Sequence, residues 1–253
     1  MKSLIFGTSI APTTSPVSPL RPSQREWLWA LAVSITEILW KAGQGEKAIL
    51  AMPGSFAHFT EHGVGRYSQD GMTENLTLHE FVEQRVLYEA VTRHINAFTS
   101  EASSGCVVLL YSLVLTRGVE NIQGDMDPGG GHLINSHGYS SQEIVNLLLT
   151  GRAFTNTFNG EHRLGNTPEQ TMVLRGITQK GEIGLLSLFE HYDCYKVGTH
   201  LKTPQYPLWV VCCESHYSCL FSRDTSVTAD TRRYPPSTST TTTDWLYRRM
   251  RYA

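Results

Sequence analysis

The stretch "WVVCCESHYSCLFS", residues 209–222, sets His216 at the start of its second apolar run. An imidazole on a strand is held where it could take a thiol proton and drive nucleophilic chemistry. Five cysteines could supply the thiol: Cys106, Cys194, Cys212, Cys213 and Cys219. Cys212 and Cys213 point to opposite faces of one strand, Cys219 falls away from the His216 ring, and Cys194 follows a short helical stretch. All four read as packing residues. Cys106, in "SSGCVVLL", opens an apolar helix behind a glycine and is the one candidate nucleophile by local chemistry. Even so, a free cysteine there is about tenfold more often a buried core residue.

Other groupings point to no chemistry. "DMDPGGGH", residues 125–132, has the glycines of a phosphate cradle, but no Gly-Lys-Ser/Thr follows, so it reads as a solvated turn. Glu190 and His191 suggest a metal pair, yet adjacent residues on a helix diverge by about 100°. No Cys-x-x-Cys pair occurs, which argues against a zinc ribbon. No cofactor and no metal are expected.

The elements that must position these residues follow from periodicity. Residues 24–42, "QREWLWALAVSITEILWKA", place Leu28, Leu31, Ile35 and Leu39 at helical spacing, with Gly43 as a stop. Trp27, Trp29 and Trp40 read as packing residues. The span 53–75 reads as loop, and Thr77 to Phe98 returns to a helical period. A further helix follows Gly105. Gly138 to Gly151 begins with serines placed to cap, has Glu143 in its first turn and ends at glycine. "TMVLRGI" reads as a strand, "EIGLLSLFEHY" as a short helix and "KVGTHL" as extended. "PLWVVCCE" and "HYSCLFS" read as a hairpin.

The 253 residues, 40% hydrophobic, suffice for a substantial core. A formal charge of -2 gives no electrostatic footprint for nucleic acid or an anionic membrane. The longest apolar run, Cys106 to Leu115, is far short of the ~20 residues that span a bilayer. The N-terminal apolar stretch is broken by Gly7, Thr8 and Ser9, so a cleaved signal is not expected. An odd cysteine count without paired spacing fits a reducing, intracellular compartment, cytoplasmic or nuclear. Residues 1–22 read as a Pro/Ser/Thr-rich leader, 23–223 as the folded domain, and 224–253 as a low-complexity tail.

The run from Gly138 to Ser222 resembles the MINDY family of deubiquitinases, and most closely its fourth subfamily. The residues that carry the resemblance are "HGYSSQEIVNLLLTGRAFTNTFN", "VLRGI", "IGLLSLFEHY" and "VGTHLKTPQYPLWVVCCESHYSCLFS". Weaker similarity reaches back through "GCVVLLYSLVLTRG" to about Leu20. The resemblance implies an α+β cysteine isopeptidase fold that binds ubiquitin and removes lysine-48-linked chains. It also implies that His216 holds the position of the general base.

In that family the nucleophile is the cysteine of a Gly-Pro-Cys-Gly segment opening a helix near the start of the domain. No such segment occurs here, and no cysteine precedes Cys106. The expectation is therefore an incomplete, catalytically inactive chain: a paralogue, a splice product or a gene model without its first exon. The alternatives are a non-enzymatic ubiquitin-binding or scaffold module, and a truncated product without a stable fold. No residue can be assigned to orient His216, since Asp224 and Asp230 are available in composition only.

Overall fold

The computed structural model describes residues 1–11, 21–54, 72–100, 104–129, 131–165, 171–214 and 216–229. The fold is α+β, in two units. One comprises residues 1–125 with 150–153; the other comprises residues 126–149 and those from 154 onward.

The first unit is built on a long helix. α1 (Lys2–Phe6) packs on α2 (Gln24–Ala42), tied by a 3.0 Å ion pair from Lys2 to Glu37. α2 starts at a capping box: Glu26 N–H donates to Ser23 Oγ, and Ser23 N–H donates to the Glu26 carboxylate. The Ser23 hydroxyl, which donates to Glu26 Oε2 at 2.6 Å, and then the Ser23 N–H hold the Glu26 carboxyl below its ordinary range. Val33, Ile35 and Leu39 on this helix are buried, whereas Trp27 stands 48% exposed and is not a packing residue.

β1 (Ala48–Pro53) pairs antiparallel with β2 (Leu76–Phe81), Leu50 opposite His79. α3 (Gln84–Arg93) and α4 (Asn96–Thr99) follow, then α5 (Gly105–Arg117) and α6 (Val119–Asp125). The outer edge of β1 is closed by α5 side chains. Ile49 N–H donates to Thr116 Oγ1, Ala51 N–H donates to Ser112 Oγ, and the Thr116 hydroxyl donates to Ile49 O. A strand edge that sheet pairing would leave open is thereby satisfied by hydroxyls.

The helix expected from Thr77 to Phe98 is thus a strand followed by two helices. Leu78, Phe81 and Val82 fit a 3.6-residue period, but pairing with β1 takes Leu76–Phe81, and the buried helical stripe starts only at Leu87 and Val91. Of the expected loop at 53–75, residues 55–71 lie outside the described residues; Thr73–Asn75 form a single 3-10 turn. The expected solvated turn at 125–132 is anchored at its acidic positions. Asp125 is buried in a two-pronged ion pair with Arg117, both bonds 2.8 Å, and also accepts the Ala153 N–H. Gly151, at φ 78, lies so close to Lys41 that a Cβ would stand 2.6 Å from its carbonyl oxygen.

In the second unit, α7 (Gln142–Thr150) buries Ile144, Leu147 and Leu149. It begins later than Gly138, and the Ser141 hydroxyl that was expected to cap it is buried without a hydrogen-bond partner among the described residues. β3 (Glu161–Leu164) and β4 (Met172–Arg175) form a hairpin. β5 (Gly184–Ser187), α8 (Leu188–His191) and α9 (Thr199–Lys202) lead into β6 (Leu208–Cys213) and β7 (His216–Phe221). The sheet order is β5-β6-β7, with β5 parallel and β7 antiparallel to β6. α10 (Ser226–Ala229) ends the described chain.

Two further expectations change here. The helix expected from Glu182 is half strand, because Gly184 fits flat against Trp209 and lets β5 pair with β6. The extended piece expected at "KVGTHL" closes into the α9 turn after Gly198, which sits where Asn159 leaves no space for a Cβ.

The core of this unit is Leu149, Phe154, Ile177, Leu185, Val197 and Leu201. Asparagines shape the segment beside it. Fully buried Asn146 donates to Phe154 O and Asn156 O, and Asn156 donates to Asp127, which also accepts the Arg175 N–H.

Removing Asp125 leaves the buried Arg117 charge unpaired, and removing Arg117 leaves Asp125 with only the longer 3.8 Å ion pair to Arg152. Arg117→Ala and Asp125→Ala are each expected to lower unfolding free energy in urea by about 3 kcal/mol or more. The double variant is expected to lose less than the two single losses added together. Strict additivity would show that the pair does not act as a unit.

Candidate functional site

His216 is the first residue of β7, exposed, and separated from β6 by residues 214 and 215 alone. Glu214 carries φ 54, the left-handed conformation that tight hairpin turns require. The expected placement of His216 at a strand start holds. Among the described residues no side chain hydrogen-bonds its ring. Asp224 instead accepts the Ser226 N–H at 2.9 Å, and its carboxyl is held below the usual range by hydrogen bonds from Ser226. Asp230 lies outside the described residues.

Register decides which cysteine meets the imidazole. Cys213 is the cross-strand partner of His216, and Cys212 is the partner of Tyr217. Ser222 N–H donates to Pro207 O at the far end of the ladder, which makes alternate pairs, Cys213 and His216 included, the hydrogen-bonding ones. Directly opposed residues share a face, with Cβ atoms about 5.5 Å apart. Cys213 and His216 therefore stand side by side on one face of the hairpin. Both are exposed.

Only Cys212 is buried; Cys106, Cys194, Cys213 and Cys219 are exposed, so four of the five are not packing residues in a core. Cys106 occupies the first turn of α5, whose buried stripe is Val108, Ser112, Leu113 and Thr116. That helix is apolar on all sides, so hydrophobicity alone did not mark its outer face. Cys219 lies on β7, which is covered on one edge only.

The opposite face carries a polar row absent from the sequence reading. Ser187, Cys212 and Tyr217 are register partners across β5, β6 and β7. Tyr217 hydrogen-bonds the Cys212 thiol, whose own proton points to Glu214 O at 3.8 Å. Tyr195 hydrogen-bonds Ser187. Tyr217 is 52% exposed as a residue, yet desolvation of its phenol, reinforced by Cys212, pushes it up to about 12, and burial also raises that of Tyr195. The one available signal was the two-residue turn, which fixes both cross-strand pairs of the hairpin. The Ser187 partnership needs the parallel pairing of β5, which local sequence does not reveal.

Glu190 and His191 do not form a metal pair. Glu190 accepts the Val197 N–H at 3.1 Å and an ion pair from Lys202 at 2.6 Å, while His191 packs edge-on against Tyr192. Among the described residues, no group of three His, Cys, Asp or Glu side chains converges as a metal site.

Tyr217 has a folded-state pKa above the ordinary value of 10.0. Its contribution to stability is complete below pH 10.0 and is lost as pH rises toward about 12. Tyrosinate absorbance should thus show late titrations from Tyr195 and Tyr217, of which Tyr217→Phe removes one, together with part of the stability lost in that alkaline window. A titration curve unchanged by Tyr217→Phe would contradict the assignment.

The family model "Deubiquitinating enzyme MINDY-3/4, conserved domain" matches residues 1–235. The chain is 42% identical over 213 residues to the Mus musculus protein named "Probable ubiquitin carboxyl-terminal hydrolase MINDY-4", covering 84% of this chain and 28% of that one. The Homo sapiens protein of the same name is 41% identical over 213 residues, with the same coverage. The Homo sapiens "Ubiquitin carboxyl-terminal hydrolase MINDY-3" is 36% identical over 126 residues, 49% of this chain and 27% of that one. The chain thus spans less than a third of the length of these relatives. No solved structure matches it.

Proposed function

The chain belongs to the MINDY-3/4 family of deubiquitinating enzymes, and we propose that it is a ubiquitin-binding module whose own cysteines do not complete an isopeptidase site. Its ligand in this reading is polyubiquitin, lysine-48-linked chains in preference, and His216 is the family's general base. The observation that carries the reading is the exposed imidazole at the start of β7, in a chain matched almost end to end by the family model.

Isopeptidase chemistry needs a thiolate within reach of the base and backbone donors aimed at the developing oxyanion. The cysteine paired with His216 in the ladder is Cys213, and among the described residues no hydrogen bond joins its thiol to the imidazole. Its own backbone belongs to a hydrogen-bonding pair of the β6–β7 ladder, and the residue after it turns in the left-handed conformation. This differs from a helix N-terminus, where consecutive N–H groups are unpaired and point at one place. Cys212 is buried and bonded to a phenol. Exposed free thiols favour a reducing, intracellular setting for the chain.

A ubiquitin probe with a C-terminal electrophile, incubated with the purified chain, is expected to give no adduct. Lysine-48-linked diubiquitin is expected to bind in calorimetry. An adduct lost in both Cys106→Ala and His216→Ala would overturn the inactive reading, and absence of binding by a chain folded in circular dichroism would overturn the ubiquitin reading.

A further inference from the structure

We propose that the groove between α2 and α3 binds a small carboxylic acid with a linear apolar body, held by Arg25 and the Trp29 indole. Arg25, Leu28, Trp29 and Ala32 follow one another at helical spacing on α2, so they form a single stripe along one wall. Tyr88 and Thr92 of α3, with Ile95 just beyond it, repeat that spacing on the other wall. The cavity between the walls measures about 510 Å³, within the range of roughly 300–1,000 Å³ usual for small-molecule sites.

The stripe on α2 is charged at one end and apolar at the other. Arg25 lies in the first turn of the helix, and Ala32 lies about 10 Å further along its axis. Arg25 is exposed, is the one charged residue of the described lining, and makes no ion pair among the described residues. The adjoining carboxylate, Glu26, is bonded to Ser23 and does not line the groove. A carboxylate therefore finds its complement at the Arg25 end, while an alkyl chain covers Leu28, Ala32 and the rings of Trp29 and Tyr88. The Trp29 indole nitrogen is buried and has no hydrogen-bond partner among the described residues. Leaving such a donor unpaired costs more than a hydrogen bond ordinarily contributes. Arg25 and Trp29 stand one turn apart as neighbours on the helix surface, so one carboxylate can accept from both once the indole ring tilts toward it. The ligand oxygen then satisfies a donor that the chain itself leaves unpaired.

The test uses the whole chain with no ubiquitin present, so its failure is separate from failure of the ubiquitin reading. The chain is labelled for indole NMR and titrated with decanoate and, separately, with decanamide. The Trp29 indole resonance, identified by its loss in Trp29→Phe, is expected to move saturably with decanoate. Decanamide should bind about tenfold more weakly, the difference that a charged hydrogen-bond partner makes. Arg25→Gln should weaken decanoate by about the same tenfold factor and leave decanamide unchanged. Thr92→Phe, a bulkier side chain at an exposed position of the wall, should weaken both. Equal affinity for acid and amide in the unaltered chain overturns the carboxylate assignment. A Trp29 resonance that stays in place up to the micellar limit of decanoate overturns the site.

Discussion

Everything placed around His216 depends on the register of β6 against β7, and that register is set by a connection of two residues. With Cys213 opposite His216, the remaining pairs follow by alternation down to Leu208 and Phe221. A slip of one residue would carry every side chain of β7 to the other face. His216 would then join the face of Cys212, and Tyr217 would lose the thiol that it bonds. A positive φ at Glu214 is the conformational cost of holding this turn in a non-glycine residue.

The buried polar groups in each unit act on connections rather than on the elements themselves. Arg117 and Asp125 join the end of α5 to the end of α6, and Asp125 also takes the backbone N–H of Ala153. Asn146 holds two carbonyls of the segment after α7, and Asp127 takes a side-chain amide and a backbone N–H from two other places. Each such group, if unpaired, would cost more than a typical hydrogen bond contributes. The stretch from 154 to 158 is thereby held without regular secondary structure. The same bonds explain how a Gly- and Asp-rich stretch with the composition of a solvated turn is anchored at its acidic positions, Asp125 buried and Asp127 half-buried.

The elements legible in the sequence were those whose signal is local. α2 has its cap, stripe and glycine stop within one stretch, and the β6–β7 hairpin has two β-branched or aromatic runs around a short turn. β2 reads as helix because its apolar residues also suit a helical period, and its partner β1 lies far away in sequence. β5 was hidden for the same reason, since a glycine at its start is informative only once Trp209 is seen against it. Of the candidate site, the placement of His216 at a strand start was legible. The neighbour of its ring was within reach of the same reasoning, because a two-residue turn pairs the residues that flank it. The row from Ser187 through Cys212 to Tyr217 was not, because it crosses a parallel strand pair.

The hydroxyls of Ser112 and Thr116 give the β1–β2 ribbon a polarity of growth. Ile49 and Ala51 turn their amides to α5, so Ala48, Leu50 and Met52 bond to β2, and the outward groups of β2 belong to Leu78 and Glu80. One margin of the ribbon is sealed from within, and among the described residues no strand pairs with the other. Two copies could meet margin to margin, but the sealed sides would then face outward at both ends, and no third copy could join. A ribbon closed on one side is limited to pairs, whereas one open on both could propagate as a fibre.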